Sequence, residues 1–394
     1  LEIYNETMGP EQGIYVDLSN STASAPNKGG NNIDKIKTLV AAGTPPDMYV
    51  LGYTRAMEFY VTGATMDFDQ ELRAEPRWAA QRADIFPHLL ESSMWTGKVV
   101  GMPVSTNNVA FIYNVGLLQQ HGVEAPKEDW TLDDFEEKAQ KFVTPPREDP
   151  LEGLIPLSMG WYFYLDFVRS AGKNPISDDA TKMQVDTAEF LETMTLWLRW
   201  LDNRIIFDHP AENQTWGVRE EYRHAKNNVA FEHQGVYRIP TIRQQQAPPF
   251  EVVHVPLHPV GKVKSAINGG WNSVVFKTTP ERQQAASQVT LWLSEPDAQV
   301  EHMIRAITIP ISQKGLDHPK LRETLSQDPQ FRGFVDLAPY GWRWPGLPSY
   351  SKITGRIGTA VKEIMTKKVA PKAGLESAQR ETQVMLDDDI KMMQ

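Results

Sequence analysis

The sequence has no cysteine in 394 residues. That excludes disulfides, a thiol nucleophile, iron–sulfur clusters and Cys-based zinc sites, while leaving the compartment undetermined. It also lacks a basic excess: Lys plus Arg number 40 against 50 Asp plus Glu, a formal net charge of −10. A main partner of nucleic acid is therefore not expected, because phosphate neutralisation needs surplus Lys and Arg. No apolar run approaches the roughly 18 residues of a membrane span; stretches such as Met48–Leu51 are short. There is no Walker loop, dinucleotide glycine pattern, His-Glu-x-x-His or Gly-x-Ser-x-Gly. His254 and His258 stand four apart, but Pro256 lies between them and breaks the helical geometry a metal pair needs. No metal or cofactor is expected. The triplets starting at Asn5, Asn20 and Asn213 match a glycosylation acceptor, a pattern short enough to arise by chance. The chain starts at Leu1 with no visible signal peptide, which reads as a processed or trimmed form.

What is present is an ordinary globular composition, 41% hydrophobic and 23% charged, with an unusual 11 tryptophans. At ~100–200 residues per domain, the length suggests two domains or three. Short apolar runs alternate with helical periods, an α/β pattern. Ile33, Ile36, Leu39 and Val40 fall at helical spacing before Gly43, and Met48–Leu51 reads as a strand after Pro45-Pro46. Strands are expected near Val109–Tyr113, Val229–Phe231, Val252–Val255 and Ser273–Phe276. Thr131-Leu132-Asp133-Asp134 is a capping-box-like helix start, and Thr279-Pro280 an N-cap with proline at the first helical position. Phe190, Met194, Trp197, Leu198 and Leu201 form an apolar helical stripe. Acidic residues are plentiful, but no local motif selects the carboxylate pair that glycoside hydrolysis requires.

Four ordered segments carry a resemblance. The first is Ile36–Asp47, with Ala41-Ala42-Gly43-Thr44-Pro45-Pro46-Asp47 leading into a strand. The second is Gly101-Met102-Pro103, then Phe111-Ile112-Tyr113-Asn114, with Gly122, Pro126, Trp130 and Phe135. The third is Asn268-Gly269-Gly270-Trp271, a strand, Thr279-Pro280 and a helix through Leu293-Ser294-Glu295-Pro296. The fourth is Ile309-Pro310-Ile311 with the C-terminal helices and Ala373-Gly374-Leu375. Together they resemble the extracellular solute-binding proteins of ABC importers, in the group that binds sugars, oligosaccharides and glycerol-phosphate compounds.

The resemblance implies a type II periplasmic-binding-protein-like fold: two α/β lobes, hinge crossings and a central ligand cleft. The expected lobes are 1–107 with 271–308, and 108–270 with 309–394. Such proteins begin with a strand before their first helix. Here Leu1–Tyr4 already resembles that helix, and Ile14-Tyr15-Val16 the second strand. The implied function is capture of a carbohydrate-like small molecule by lobe closure and delivery to the transmembrane subunits of a permease. The protein would be a monomer, in the periplasm or exported to the cell surface, and would not itself span the membrane or act as an enzyme. Three other readings stand beside it: a binder of an anionic polyol such as a glycerol phosphodiester or a sulfonated or phosphorylated sugar, a glycoside-active enzyme in the same cleft, and a sensor domain.

A sugar ring offers apolar faces to Trp and Tyr, and hydroxyls to Asn, Arg and backbone groups. Trp197, Trp200 and Trp292 fall on helical stripes and read as core. Trp161 and Tyr162 follow a strand end, where the resemblance places ligand-facing rings. Tyr237 follows Gln234-Gly235-Val236, Trp271 follows two glycines at a crossing, and Trp342 sits in a Gly/Pro-rich loop with Arg343. Tyr53 and Arg55 follow the Met48–Leu51 strand, whose C-terminal end points toward a cleft in an open α/β sheet. Asn107, Asn108 and Asn272 lie beside the expected crossings. Arg55 or Arg343 has the fork to hold an anionic group, or equally to make an internal salt bridge.

Overall fold

The computed structural model describes residues 1–17, 33–145, 153–160, 164–206, 215–216, 227–244, 249–261 and 263–393. Its strands, in chain order, are β1 (Met48–Gly52), β2 (Met94–Trp95), β3 (Lys98–Val99), β4 (Met102–Asn114), β5 (Ile155–Gly160), β6 (Thr215–Trp216), β7 (Val229–Gly235), β8 (Phe250–Val253), β9 (Ala266–Val275) and β10 (Gly341–Trp342). The main sheet runs β1-β9-β4-β7-β5-β6, with β10 beside β9 and β8 beside β4.

Two long strands organise this sheet. The first half of β4 pairs antiparallel with β9, from Met102 opposite Ser273 to Asn108 opposite Asn268. Its second half leaves β9 and pairs with β7 and β8, from Val109 opposite Gly235 to Asn114 opposite Phe250. β9 in turn pairs with β1 through Trp271–Val275 and with β10 through Ala266 and Ile267. The backbone therefore passes twice, at 107–109 and 268–271, from one group of packed elements to another.

The apolar cores follow that division. On the β1 side, Ile33 and Ile36 of the helix Ile33–Ala41 pack with Leu51, Met57, Phe59 and Val274, and Phe68, Trp78, Leu89 and Met102 with Leu291. On the other side, a larger core joins Phe111, Trp130, Phe135, Phe167, Trp197, Trp200 and Phe231 to the C-terminal helices Tyr350–Met365 and Pro371–Met393. A further group brings Val300 and Met303 of the helix Pro296–Ala306 against Ile112, Phe250, Phe331 and Phe334. Trp197 and Trp200 meet Phe167 edge to face at 5.9 and 5.4 Å, and the Trp130 indole N–H donates to the His254 carbonyl at 3.1 Å. Trp292 packs on the Tyr4 ring at 5.2 Å. Most of the tryptophan excess thus stabilises the core by burying ~150–250 Å² per ring.

The helix Leu132–Gln140 begins as its sequence demands. The Thr131 hydroxyl accepts the Asp134 backbone N–H at 3.2 Å, and the Asp134 carboxylate accepts the Thr131 N–H at 2.8 Å. The Thr131 N–H and then the Thr131 hydroxyl, both donating to that carboxylate, hold the Asp134 carboxyl below the usual carboxylate range. Thr131→Ala is expected to lower stability by about 1 kcal/mol, read as a lower urea midpoint at unchanged slope.

The N-terminus differs from expectation. Glu2–Glu6 and Met8–Gln12 are helical, but Ile14-Tyr15-Val16 forms no strand, and Tyr15 is exposed. The reason is local. The Asn5 side-chain amide donates to the Val16 carbonyl at 2.9 Å and accepts the Val16 N–H at 2.8 Å. The Ile14 N–H donates to the Gly9 carbonyl at 2.9 Å. These bonds use the groups a β-ladder would need.

Candidate functional site

Trp271 lies in β9, a strand paired on both sides, where a large side chain is normally covered. It is nonetheless 39% exposed. Its cross-strand neighbours explain this: Gly52 of β1 on one side and Ser105 of β4 on the other. Neither is large enough to roof the indole. Tyr237, on the single turn Val236–Arg238 that follows β7, is 46% exposed. Gly235 permits that placement, because a Cβ there would lie 2.1 Å from the Tyr237 ring. Gly235 pairs with Val109 and Trp271 with Ser105. The two register positions are four residues apart along β4, or roughly 13 Å at ~3.3 Å per residue.

Side chains alternate across a sheet, so β4 and β9 present two faces at the crossing. Trp271, Ser105, Asn107 and Gly269 share one. Asn107 is half-buried, and its Oδ1 occupies the space beside Gly269, 2.6 Å from where a Cβ would stand. Thr106, Asn108, Asn268 and Gly270 belong to the other.

Arg343 covers that second face. Its Nη2 donates to the Thr106 hydroxyl at 3.0 Å and to the Gly269 carbonyl, its Nη1 lies 3.5 Å from the Ser92 hydroxyl, and its guanidinium sits 4.4 Å over the Tyr53 ring. The Thr106 hydroxyl donates to the same Gly269 carbonyl at 3.0 Å. Arg343 is 5% exposed and Tyr53 5%. Gly270 makes the arrangement possible: its φ is +139°, and a Cβ would lie 2.2 Å from Arg343 Nη2 and 2.4 Å from the Ser105 carbonyl oxygen. Burial raises the Tyr53 phenol well above its usual range. Burial, aided by the Arg343 charge, pushes His88 down to about 4.

The sequence-nominated residues thus separate by position. The structure brings Tyr53 and Arg343 into contact and sets both against the crossing that holds Asn107 and Trp271. Trp342 is half-buried next to Arg343, with Arg169 5.3 Å over its ring and Trp344 at 5.6 Å. Asn108 and Asn272 are fully buried and serve the framework instead: the Asn108 amide donates to the Phe334 carbonyl at 2.6 Å, and that of Asn272 to the Ser93 hydroxyl at 2.7 Å. Arg55 turns to Glu58 at 2.9 Å, a carboxylate that also takes Lys37 at 2.8 Å and the Ser351 hydroxyl at 3.1 Å. Trp161 and Tyr162 lie outside the described residues. Sequence reasoning passed over Ser92, Thr106 and Arg169. Only the neighbourhood of Thr106 was legible, through Asn107.

Among the described residues, no group of His, Asp and Glu is arranged to hold a metal ion, and no helix is long and apolar enough to cross a membrane.

Comparison with known proteins places this geometry. The family model for bacterial extracellular solute-binding proteins matches residues 26–333. A protein of Deinococcus radiodurans described as a probable ABC transporter-binding protein is 24% identical over 318 residues, 76% of this chain and 72% of the relative. Two solved structures share the fold. One is an ABC substrate-binding protein of Listeria monocytogenes in complex with cycloalternan, with TM-score 0.79 and 17% identity over 98% of this chain and 95% of that one. The other is an ABC transporter solute-binding protein of Thermotoga lettingae bound with α-D-tagatose, with TM-score 0.76 and 18% identity over 98% and 95%. The fold is accordingly that of the periplasmic binding proteins, two α/β lobes joined by strand crossings, and both neighbours are binding proteins by description. With the family model spanning most of its length, the chain belongs to the bacterial extracellular solute-binding proteins.

Proposed function

We propose that this protein is the substrate-binding component of an ABC importer, that it captures a neutral carbohydrate between its lobes, and that it hands the solute to a membrane permease. The lobes are taken as 1–107 with 271–308, and 108–270 with 309–394. It works as an exported monomer, in the periplasm or at the cell surface, and carries out no chemistry. The observation that carries the reading is the open indole of Trp271 on a fully paired strand at the lobe crossing, with the exposed Tyr237 ring just past β7, on the other side of β4. A rigid aromatic face in a cleft suits the C–H face of a sugar, and the half-buried Asn107 amide on the same side suits its hydroxyls. Trp161, Tyr162 and Trp342 are proposed as further rings. The descriptions of the Listeria and Thermotoga neighbours, bound to cycloalternan and tagatose, support the same ligand class. Closure follows from differential affinity: a ligand touching both lobes favours the closed state by what it gains there and nowhere else.

Intrinsic fluorescence tests this directly. Titration with maltotriose, mannotriose, cyclic glucans, D-tagatose and glycerophosphocholine should give saturable quenching and a raised melting temperature for at least one neutral saccharide. No response to any of them overturns the reading. A response to glycerophosphocholine alone replaces the sugar with a glycerol phosphodiester, and release of smaller saccharides on incubation makes the protein an enzyme.

A further inference from the structure

The Arg343 guanidinium reaches from the end of β10 to the crossing strands and to the β1 side. Arg343 follows β10, whose Gly341 and Trp342 pair in parallel with Ala266 and Ile267 at the far end of β9. Its partners Tyr53 and Ser92 belong to the β1 side, and Thr106 and Gly269 belong to the two crossing strands themselves. The segment after it is fastened to the same side. The Trp344 N–H donates to the Tyr53 hydroxyl at 3.3 Å, and Gly346 leaves no room for a Cβ between the Met57 side chain and the Met94 carbonyl. The Ser351 hydroxyl donates to Glu58 at 3.1 Å. Arg343 lies on the face opposite the open Trp271 indole, and it is buried.

We propose that Arg343 is a hinge-positioning residue: by bonding Ser92, Thr106 and the Gly269 carbonyl at once behind the crossing, it fixes the angle between the lobes in the unliganded protein and so sets ligand affinity without touching the ligand. This rests on the two-lobe reading above. The physical argument is that Ser92, Tyr53 and Thr106 lie in residues 1–107 while Arg343 lies in the segment 309–394, so a rotation about residues 107–109 and 268–271 moves the guanidinium relative to all three. A planar fork with fixed donor directions tolerates that movement poorly, while a lysine, a point charge on a flexible stem, tolerates it well. The hydrogen bonds to one guanidinium therefore narrow the range of hinge angles.

The absence of cysteine makes the test clean. Spin labels on Ala80→Cys and Glu137→Cys, exposed positions on the helices Pro76–Asp84 and Leu132–Gln140, report the separation of the lobes. Wild type, Arg343→Met, Arg343→Lys and Thr106→Val are compared without ligand and with maltotriose or whichever panel saccharide quenches the native protein. Arg343→Met is expected to broaden the unliganded distance distribution and, because closure no longer breaks these bonds, to tighten saccharide binding about tenfold, with the ranking of saccharides unchanged. Arg343→Lys and Thr106→Val should shift both readouts in the same direction by less, and they decide the matter if Arg343→Met does not fold. An unliganded distribution identical to wild type in every folded variant overturns the proposal. So does an affinity loss for any saccharide, which would make Arg343 a direct contact or part of the binding-competent framework. A wild-type distribution that no saccharide narrows overturns the lobe-closure reading instead.

Discussion

Replacing Asp166 with alanine is expected to remove about 3–5 kcal/mol of folding stability, the largest loss of any single substitution argued for this chain. Asp166 lies on the helix Tyr164–Ser170 and is fully buried. One carboxylate oxygen lies 3.0 Å from Nε2 of the equally buried His233 on β7. The other accepts the Ser265 hydroxyl at 2.6 Å and the Ile267 backbone N–H at 2.9 Å. One side chain thus joins a helix, β7 and the start of β9. The Phe111 and Phe167 rings stand 5.0 and 5.8 Å from the imidazole and keep the pair dry. Truncation leaves three polar groups, from β7 and the start of β9, facing an apolar void, and water cannot reach them without opening the core. Asp166→Asn keeps the shape and one acceptor oxygen, so its loss should be smaller. Urea unfolding followed by tryptophan emission orders the two. An Asp166→Ala midpoint equal to wild type would show that the carboxylate contributes no net stability.

Asp166 also marks where sequence reading stopped. Helical stripes, the Thr131 capping box and the N-cap at Thr279 were legible because each is written in a few adjacent residues, and the corresponding helices form. The strand positions were legible for the same reason. What was not legible depends on pairing. Asp166 meets His233 and Ser265 only because β7 and β9 run past one helix, and nothing near residue 166 announces those partners. The two faces of the crossing were hidden likewise. Asn107 and Asn108 are adjacent in sequence, as are Trp271 and Asn272, yet alternation sends Asn107 and Trp271 one way and Asn108 the other, and buries Asn272 against Ser93. The irregular register between Pro103 and Ser105 and the positive φ of Gly270 further detach strand position from facing. At the N-terminus, the Asn5 amide captured the Val16 backbone, and a β-branched, aromatic triplet failed to become a strand.

Trp271→Ala is expected to weaken saccharide binding by at least tenfold and up to a hundredfold, about 1.4–2.7 kcal/mol, while leaving the melting temperature within a degree or two of wild type. The asymmetry follows from exposure. An indole 39% exposed, with only Gly52 and Ser105 across from it, contributes little packing to the folded state, and its open area is available to a ligand. Tyr237→Ala is expected to act similarly and more weakly, because a phenol ring offers less surface than an indole. The pair gives a sharper test than either alone. Trp271 pairs with Ser105, and β7 ends at Gly235 opposite Val109, two residues before Tyr237; substitutions add only where the two side chains share no partner. If one extended saccharide lies across both rings, the free-energy losses should add, and a monosaccharide reaching Trp271 alone should be indifferent to Tyr237→Ala. Calorimetric titration of the two single variants and the double variant, with a trisaccharide and a ketohexose, reads both comparisons. Full-strength binding by Trp271→Ala would remove the crossing from the ligand site, and equal sensitivity of the short and long ligands to Tyr237→Ala would place both rings around a single sugar.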